Sequence, residues 1–270
     1  MTFPVYIHIG PLTLHPHLVF EALAYFLGFR LYMWTRSKEK LPLEKSIWVI
    51  IGAVLGAAAG SKALYWLEDP AQTAARWRDV SYMLEGKTIV GGLLGGLIGV
   101  EWIKKRIGVT RSTGDDMAIP LIIGMCIGRV GCFLTGLDDH TYGVATDWPT
   151  GVDFGDGVPR HPTQLYEIAY LLMLGAVLLA LRGWASERRH TGPGGAIVPE
   201  GGIFQLFMFG YLLFRLAIDF WKPTPHPYFG LNNIQLASLA GLLYYGWLLS
   251  KWRTARPATP TLTTKEGTHP

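Results

Sequence analysis

MAIPLIIGMCIGRVGCFLTGL, residues 117–137, carries a single charged side chain, Arg129. The stretch is long and apolar enough to cross a bilayer, whose hydrocarbon core takes about 20 helical residues. A guanidinium at that depth is costly and marks a functional site by default. Arg215 repeats the situation in GIFQLFMFGYLLFRLAIDFW, residues 202–221. Two permanent cations in apolar spans need an anionic partner, and the partner a membrane supplies in quantity is lipid phosphate.

The rest of the chain fits that setting. Of 270 residues, 50% are hydrophobic and 16% charged, with a mean hydropathy of +0.25. A soluble domain carries nearer a quarter charged residues, so the composition reads as an all-α polytopic membrane protein. The net charge of +4 and pI near 9.0 call for no nucleic acid, because basic cytoplasmic loops account for them. Cys126 and Cys132 are the only cysteines. Six residues apart on one helix, they lie about 9 Å apart along its axis, too far for a disulfide. The first 29 residues contain no Lys or Arg, so no removable signal peptide is expected.

Seven apolar stretches stand out, at 18–34, 47–67, 88–103, 116–136, 163–182, 202–221 and 233–250. The connecting segments sort by charge. Arg36, Lys38, Lys40 and Lys45 fall in the first, Lys104, Lys105, Arg106 and Arg111 in the third, and Arg182, Arg188 and Arg189 in the fifth. Lys251, Arg253 and Arg256 follow the last stretch, whereas the fourth connection holds Asp138, Asp139, Asp147, Asp153 and Asp156. Positive charge marks the cytoplasmic side, so seven transmembrane helices are expected with the N-terminus outside and the C-terminus cytoplasmic. Residues 1–256 form the membrane domain, and the Thr- and Pro-rich segment 257–270 is expected to be a disordered cytoplasmic tail. This topology gathers Glu21, Lys62, Arg129, Glu167, Arg215 and Asp219 in the outer half of the membrane.

Each polar position has two readings. Gly128 and Gly131 flank Arg129, leaving room for a lipid headgroup or for a neighbouring helix. The planar fork of Arg129 matches phosphate oxygens, or else pairs with Glu167 or Asp219 to lock helices. Arg215 and Asp219 are spaced to pair along one helix face, while spare donor edges on Arg215 still suit phosphate. Gly91 and Gly92, with Gly95, Gly96 and Gly99, either pack a helix closely or line the substrate. Lys62 binds substrate or snorkels to the interface. In RHPTQLYE (160–167) Pro162 opens a helix, His161 is a general base or a helix anchor, and Glu167 follows inside. His15, His17 and Glu21 form a smaller polar group whose spacing does not specify a metal, and no metal or organic cofactor is implied.

The chain resembles bacterial prolipoprotein diacylglyceryl transferase over nearly its whole membrane portion. The resemblance rests on IGPLTLH (9–15), TIVGGLLGG (88–96), IGRVGCFLTG (127–136), RHPTQLYE (160–167) and FGYLLFR (209–215). It implies a bacterial inner-membrane transferase of lipoprotein biosynthesis. Such an enzyme moves the diacylglyceryl group of phosphatidylglycerol to the lipobox cysteine of a prolipoprotein signal peptide and releases glycerol phosphate. By resemblance Arg129 and Arg215 are essential phosphate-binding arginines, with His161 and Glu167 in the site and Tyr211 a donor to the headgroup. Gly91, Gly92, Gly128, Gly131, Lys62 and Glu21 complete the expected substrate contacts. Five positions depart from the family pattern. Val90 stands for its histidine, Cys132 for an asparagine after the GR-x-G segment, Thr135 and Leu137 for Asn and Glu, and Glu21 for a tyrosine. The lipid-binding half is thus kept and the acceptor half rewritten. Two alternatives stay open: the same lipid donor with another acceptor, or a non-catalytic lipid-binding or transport protein.

Overall fold

A computed structural model describes residues 3–36, 41–191 and 198–253. Among these, nine α-helices follow in order: α1 Pro16–Thr35, α2 Leu43–Trp66, α3 Pro70–Ala75, α4 Val80–Leu84, α5 Ile89–Arg106, α6 Asp115–Thr135, α7 Thr163–Thr191, α8 Gly202–Ile218 and α9 Asn233–Ser250. All but the short α3 and α4 coincide with the seven apolar stretches of the sequence. Four segments are long and apolar enough to cross a membrane: Glu44–Trp66, Asp115–Asp139, Thr163–Ala185 and Gly202–Trp221. Lys38, Lys40, Arg256 and the tail 257–270 lie outside the described residues.

Pairing of the helices follows from what each surface offers. The glycine run of α5 meets a second run on α2. An added Cβ at Gly56 would collide with the Gly95 carbonyl, one at Gly60 with that of Gly91, and one at Gly99 with that of Gly52. In lipid, where no hydrophobic force drives apolar helices together, such backbone contact supplies the dispersion energy that holds them. Gly91 therefore packs on Gly60, and Gly92 faces Ala57 and Ser61 of α2. The glycine stripe builds a helix seam, the close-packing reading of these residues.

α1 lies along α6, with Gly131 admitting the Phe20 side chain and leaving no space for a Cβ. α7, α8 and α9 close the other side of α6, around Ile122, Leu171, Leu178, Phe207, Met208 and Leu212. The orphan N–H groups that open a helix need partners, and two caps are notable. Asp115 accepts from Gly201 N at 2.8 Å and Phe204 N at 3.0 Å, fixing the start of α8 to the start of α6. Asn232 and Gln235 form a reciprocal capping box on α9.

Two small antiparallel hairpins sit on the end where α6 finishes and α7 begins. β1 (Ile7–Ile9) pairs with β2 (Leu12–Leu14), and β3 (Val152–Asp153) with β4 (Pro159–Arg160). They are tied down by Val5 N to Leu134 O at 2.8 Å and by the mutual edge contacts of Phe3, Phe133 and Phe154. Segment 136–162 is thereby laid over the end of the helices that carry Arg129 and Glu167.

Candidate active site

Glu167, one turn into α7, is the centre of the buried polar cluster. Its Oε2 lies 2.8 Å from Arg129 Nε of α6 and 3.3 Å from Arg215 Nη1 of α8. Its Oε1 accepts the Tyr211 hydroxyl at 2.7 Å. Arg215 Nη2 also donates to Asp219 Oδ1 at 2.7 Å, and Lys222 Nζ stands 3.8 Å from the same oxygen. All six side chains are buried. Arg129, Arg215 and Lys222 set three basic groups against the carboxylates of Glu167 and Asp219, with Glu68 close to Lys222, and the two guanidinium groups are the permanent positive charge among them.

Hydrogen bonding leaves part of that positive charge available. Arg129 Nε is near Glu167 yet lacks an aligned hydrogen bond, and Arg215 Nε and Asp219 Oδ2 are likewise buried without one among the described residues. Nη1 of Arg129 contacts Cys132 Sγ at 3.7 Å. Beside it, a Cβ added at Gly128 would meet nothing within 4 Å. A guanidinium whose terminal donors are not all taken up by carboxylates keeps capacity for an anionic group.

Several expected site residues do other work. Lys62 Nζ donates to the carbonyls of Leu84, Glu85 (2.8 Å) and Gly86 (2.9 Å). An ammonium has three donors, so Lys62 is fully used in holding the end of α4 and has none left for substrate. Tyr211 donates its hydroxyl hydrogen bond to Glu167 Oε1 and so orients the carboxylate. Gly131 receives Phe20 and is a packing residue. His161 stacks on Trp221 with ring centroids 5.5 Å apart, and its Nδ1 meets Tyr166 Oη at 3.2 Å. Its backbone bonds to Gly143 and Val144. These contacts anchor His161 at the start of α7.

Glu21 pairs with Lys87 at 2.6 Å, accepts from Tyr25 at 3.1 Å, and has His17 Nε2 at 3.7 Å. It lines a cavity of about 430 Å³ with His15, His17, Leu18, Thr135, Asp138 and Asp139. Cys126 and Cys132 are both free thiols. Lys222 is the residue that sequence reasoning missed. Arg215, Asp219 and Lys222 recur at i, i+4 and i+7, a spacing that puts them on one face, but Lys222 lies just beyond the apolar stretch 202–221. Burial, and then the Arg215 guanidinium, push its ammonium down to about 7.

The family profile for prolipoprotein diacylglyceryl transferase matches residues 4–251. This chain belongs to that family. A relative from Bordetella bronchiseptica, named phosphatidylglycerol–prolipoprotein diacylglyceryl transferase, is 36% identical over 259 residues, covering 91% of this chain and 89% of its own. One of the same name from Bordetella parapertussis is 34% identical over 262 residues, with the same coverage of each. A third, from Methylobacillus flagellatus, is 28% identical over 272 residues, covering 91% of this chain and 95% of its own. In this member of the diacylglyceryl transferase family the arginine pair, Glu167 and Tyr211 form one hydrogen-bonded and ion-paired unit.

Proposed function

We propose that the chain transfers the diacylglyceryl group of phosphatidylglycerol to the lipobox cysteine thiol of a prolipoprotein, releasing glycerol phosphate. Membership of the family and the names of the relatives support the reaction. The observation that carries the site is the bridging of Arg129 and Arg215 by the single carboxylate of Glu167. Two guanidinium groups are held in fixed positions by that carboxylate and by Asp219. Fixed positive charge in a dry site stabilises an anion that develops as the ester bond breaks. Glu167, Tyr211 and Asp219 position the two arginines, which bind the phosphate.

The setting belongs to the same reading. Residues 1–256 form one seven-span domain in a bacterial inner membrane, with the N-terminus outside and the site open to the outer leaflet. The basic first, third and fifth connections support that orientation. The test is purified protein in phosphatidylglycerol liposomes with a lipobox peptide, read by mass. A diacylglyceryl adduct on the cysteine is expected, and it should vanish in Arg129→Ala while the variant stays folded and inserted. Glycerol phosphate released without peptide modification would assign a different acceptor, and neither product would leave a lipid-binding protein.

A further inference from the structure

One group of metal-ligating side chains lies outside the arginine cluster. His17 on α1, Cys132 near the end of α6 and Asp139 beyond it each turn a ligand atom inward, and these atoms lie within 4.8 Å of one another. His17 Nδ1 is 2.8 Å from Asp139 Oδ1. Opposite, His17 Nε2 looks at Glu21 Oε2 from 3.7 Å, and Glu21 is itself held by Lys87 and Tyr25. The Asp139 carboxylate is held by the Thr141 hydroxyl at 2.5 Å. The Asp139 carboxylate thus has its own donor, as outer-shell support of a ligating group requires, and the Glu21 carboxylate is the acidic group nearest the other ring nitrogen of His17.

We propose that His17, Cys132 and Asp139 bind a zinc ion whose fourth position receives the acceptor thiol. The donor set decides the metal. One thiolate, one imidazole and one carboxylate suit zinc, with bonds of about 2.3 Å to sulfur and 2.0–2.2 Å to nitrogen and oxygen. Ligand atoms already within 4.8 Å of one another reach that geometry with sub-ångström to ångström side-chain movement. Two anionic ligands balance the ion's charge. Three protein ligands leave a position open, and two of the three, His17 and Asp139, line the cavity of about 430 Å³. Cys132 Sγ is also 3.7 Å from Arg129 Nη1, so ion and phosphate site are neighbours.

The chemistry follows, and here the inference rests on the transfer reaction proposed above. A thiol bound to zinc is deprotonated outright, and the thiolate is the nucleophile. The acceptor S–H gives its proton to water in the cavity, and its sulfur attacks the glycerol carbon. The C–S bond forms as the C–O bond to phosphate breaks. The electron pair leaves on the phosphate oxygen, and glycerol phosphate departs as an anion balanced by the released proton.

Cobalt(II) titration of the detergent-solubilised full chain tests the site without reference to turnover. One equivalent is expected to give a thiolate-to-cobalt charge-transfer band and tetrahedral visible bands, displaced by zinc. Cys132→Ser should abolish the charge-transfer band and His17→Ala should weaken binding at least tenfold, while Cys126→Ser leaves both unchanged. Absence of the band, or a band that survives Cys132→Ser, overturns the metal site. Addition of a lipobox peptide should roughly double the band as a second thiolate enters the fourth position; a band indifferent to the peptide overturns the acceptor role. Failure of liposome transfer with an intact cobalt band would fall on the reaction rather than on the metal.

Discussion

Glu167→Gln removes one charge and almost no volume, so it isolates what the bridging carboxylate does. Its Oε2 lies 2.8 Å from Arg129 Nε and 3.3 Å from Arg215 Nη1. With an effective dielectric constant of about 20, those distances correspond to about 6 and about 5 kcal/mol of attraction. Much of this is offset by the cost of stripping water from the carboxylate, and removal of one partner from a buried pair costs about 3–5 kcal/mol net. The amide still accepts from Tyr211, but two guanidinium groups now face each other with Asp219 as their only carboxylate partner. At about 2–4 °C per kcal/mol for a chain of this size, the thermal midpoint should fall by roughly 6–20 °C, read by tryptophan fluorescence in detergent. Glu21→Gln supplies the contrast, since a partly exposed pair is worth under about 1 kcal/mol. A Glu167→Gln midpoint within about 2 °C of the parent would refute the idea that one carboxylate holds the arginines together.

Arg129→Lys keeps the charge and loses the planar fork, so phosphatidylglycerol-dependent transfer should drop about 100-fold or more with little change in folding, measured by peptide mass. Gly95→Leu forces a side chain into the backbone of α2 and should cost about 1–3 kcal/mol or prevent folding, read as a lowered midpoint. Lys62→Met should lower stability by freeing the end of α4 yet leave the apparent affinity for lipid unchanged in the liposome assay. For Lys222 the folded pKa near 7 lies below the unfolded value. The unfolded chain therefore binds more protons between the two, and stability should rise as pH increases from about 7 toward 10. Lys222→Met should flatten that rise and gain most below pH 7, as seen in midpoints measured across pH.

The sequence displays Arg129, Glu167, Tyr211 and Arg215 because charge inside an apolar run is costly enough to stand out. Helix positions were legible for the same reason, since apolar length and charged connections are local properties. What depended on three-dimensional neighbours was not. Lys62 has the look of a substrate ligand until the end of α4 arrives with three carbonyls. His161 has the look of a base until Trp221 stacks on it. Asp139 passes for one of five solvated loop aspartates, and only the packing of α1 on α6 delivers it to His17 and Cys132. The glycines of α5 were read as either packing or lining, and the packing depends on a matching run on α2.

The seam between α2 and α5 also sets where the molecule has freedom. Backbone meets backbone along Gly52, Gly56 and Gly60, with the Ile103 side chain reaching in at the Gly52 end, so few rotatable side chains stand between the helices to swing aside. Two rods in such contact travel as one body, and sliding either by a fraction of a residue drives backbone into backbone. Compliance for admitting a two-tailed lipid then falls to joints padded with rotatable groups, such as the Phe20 joint between α1 and α6.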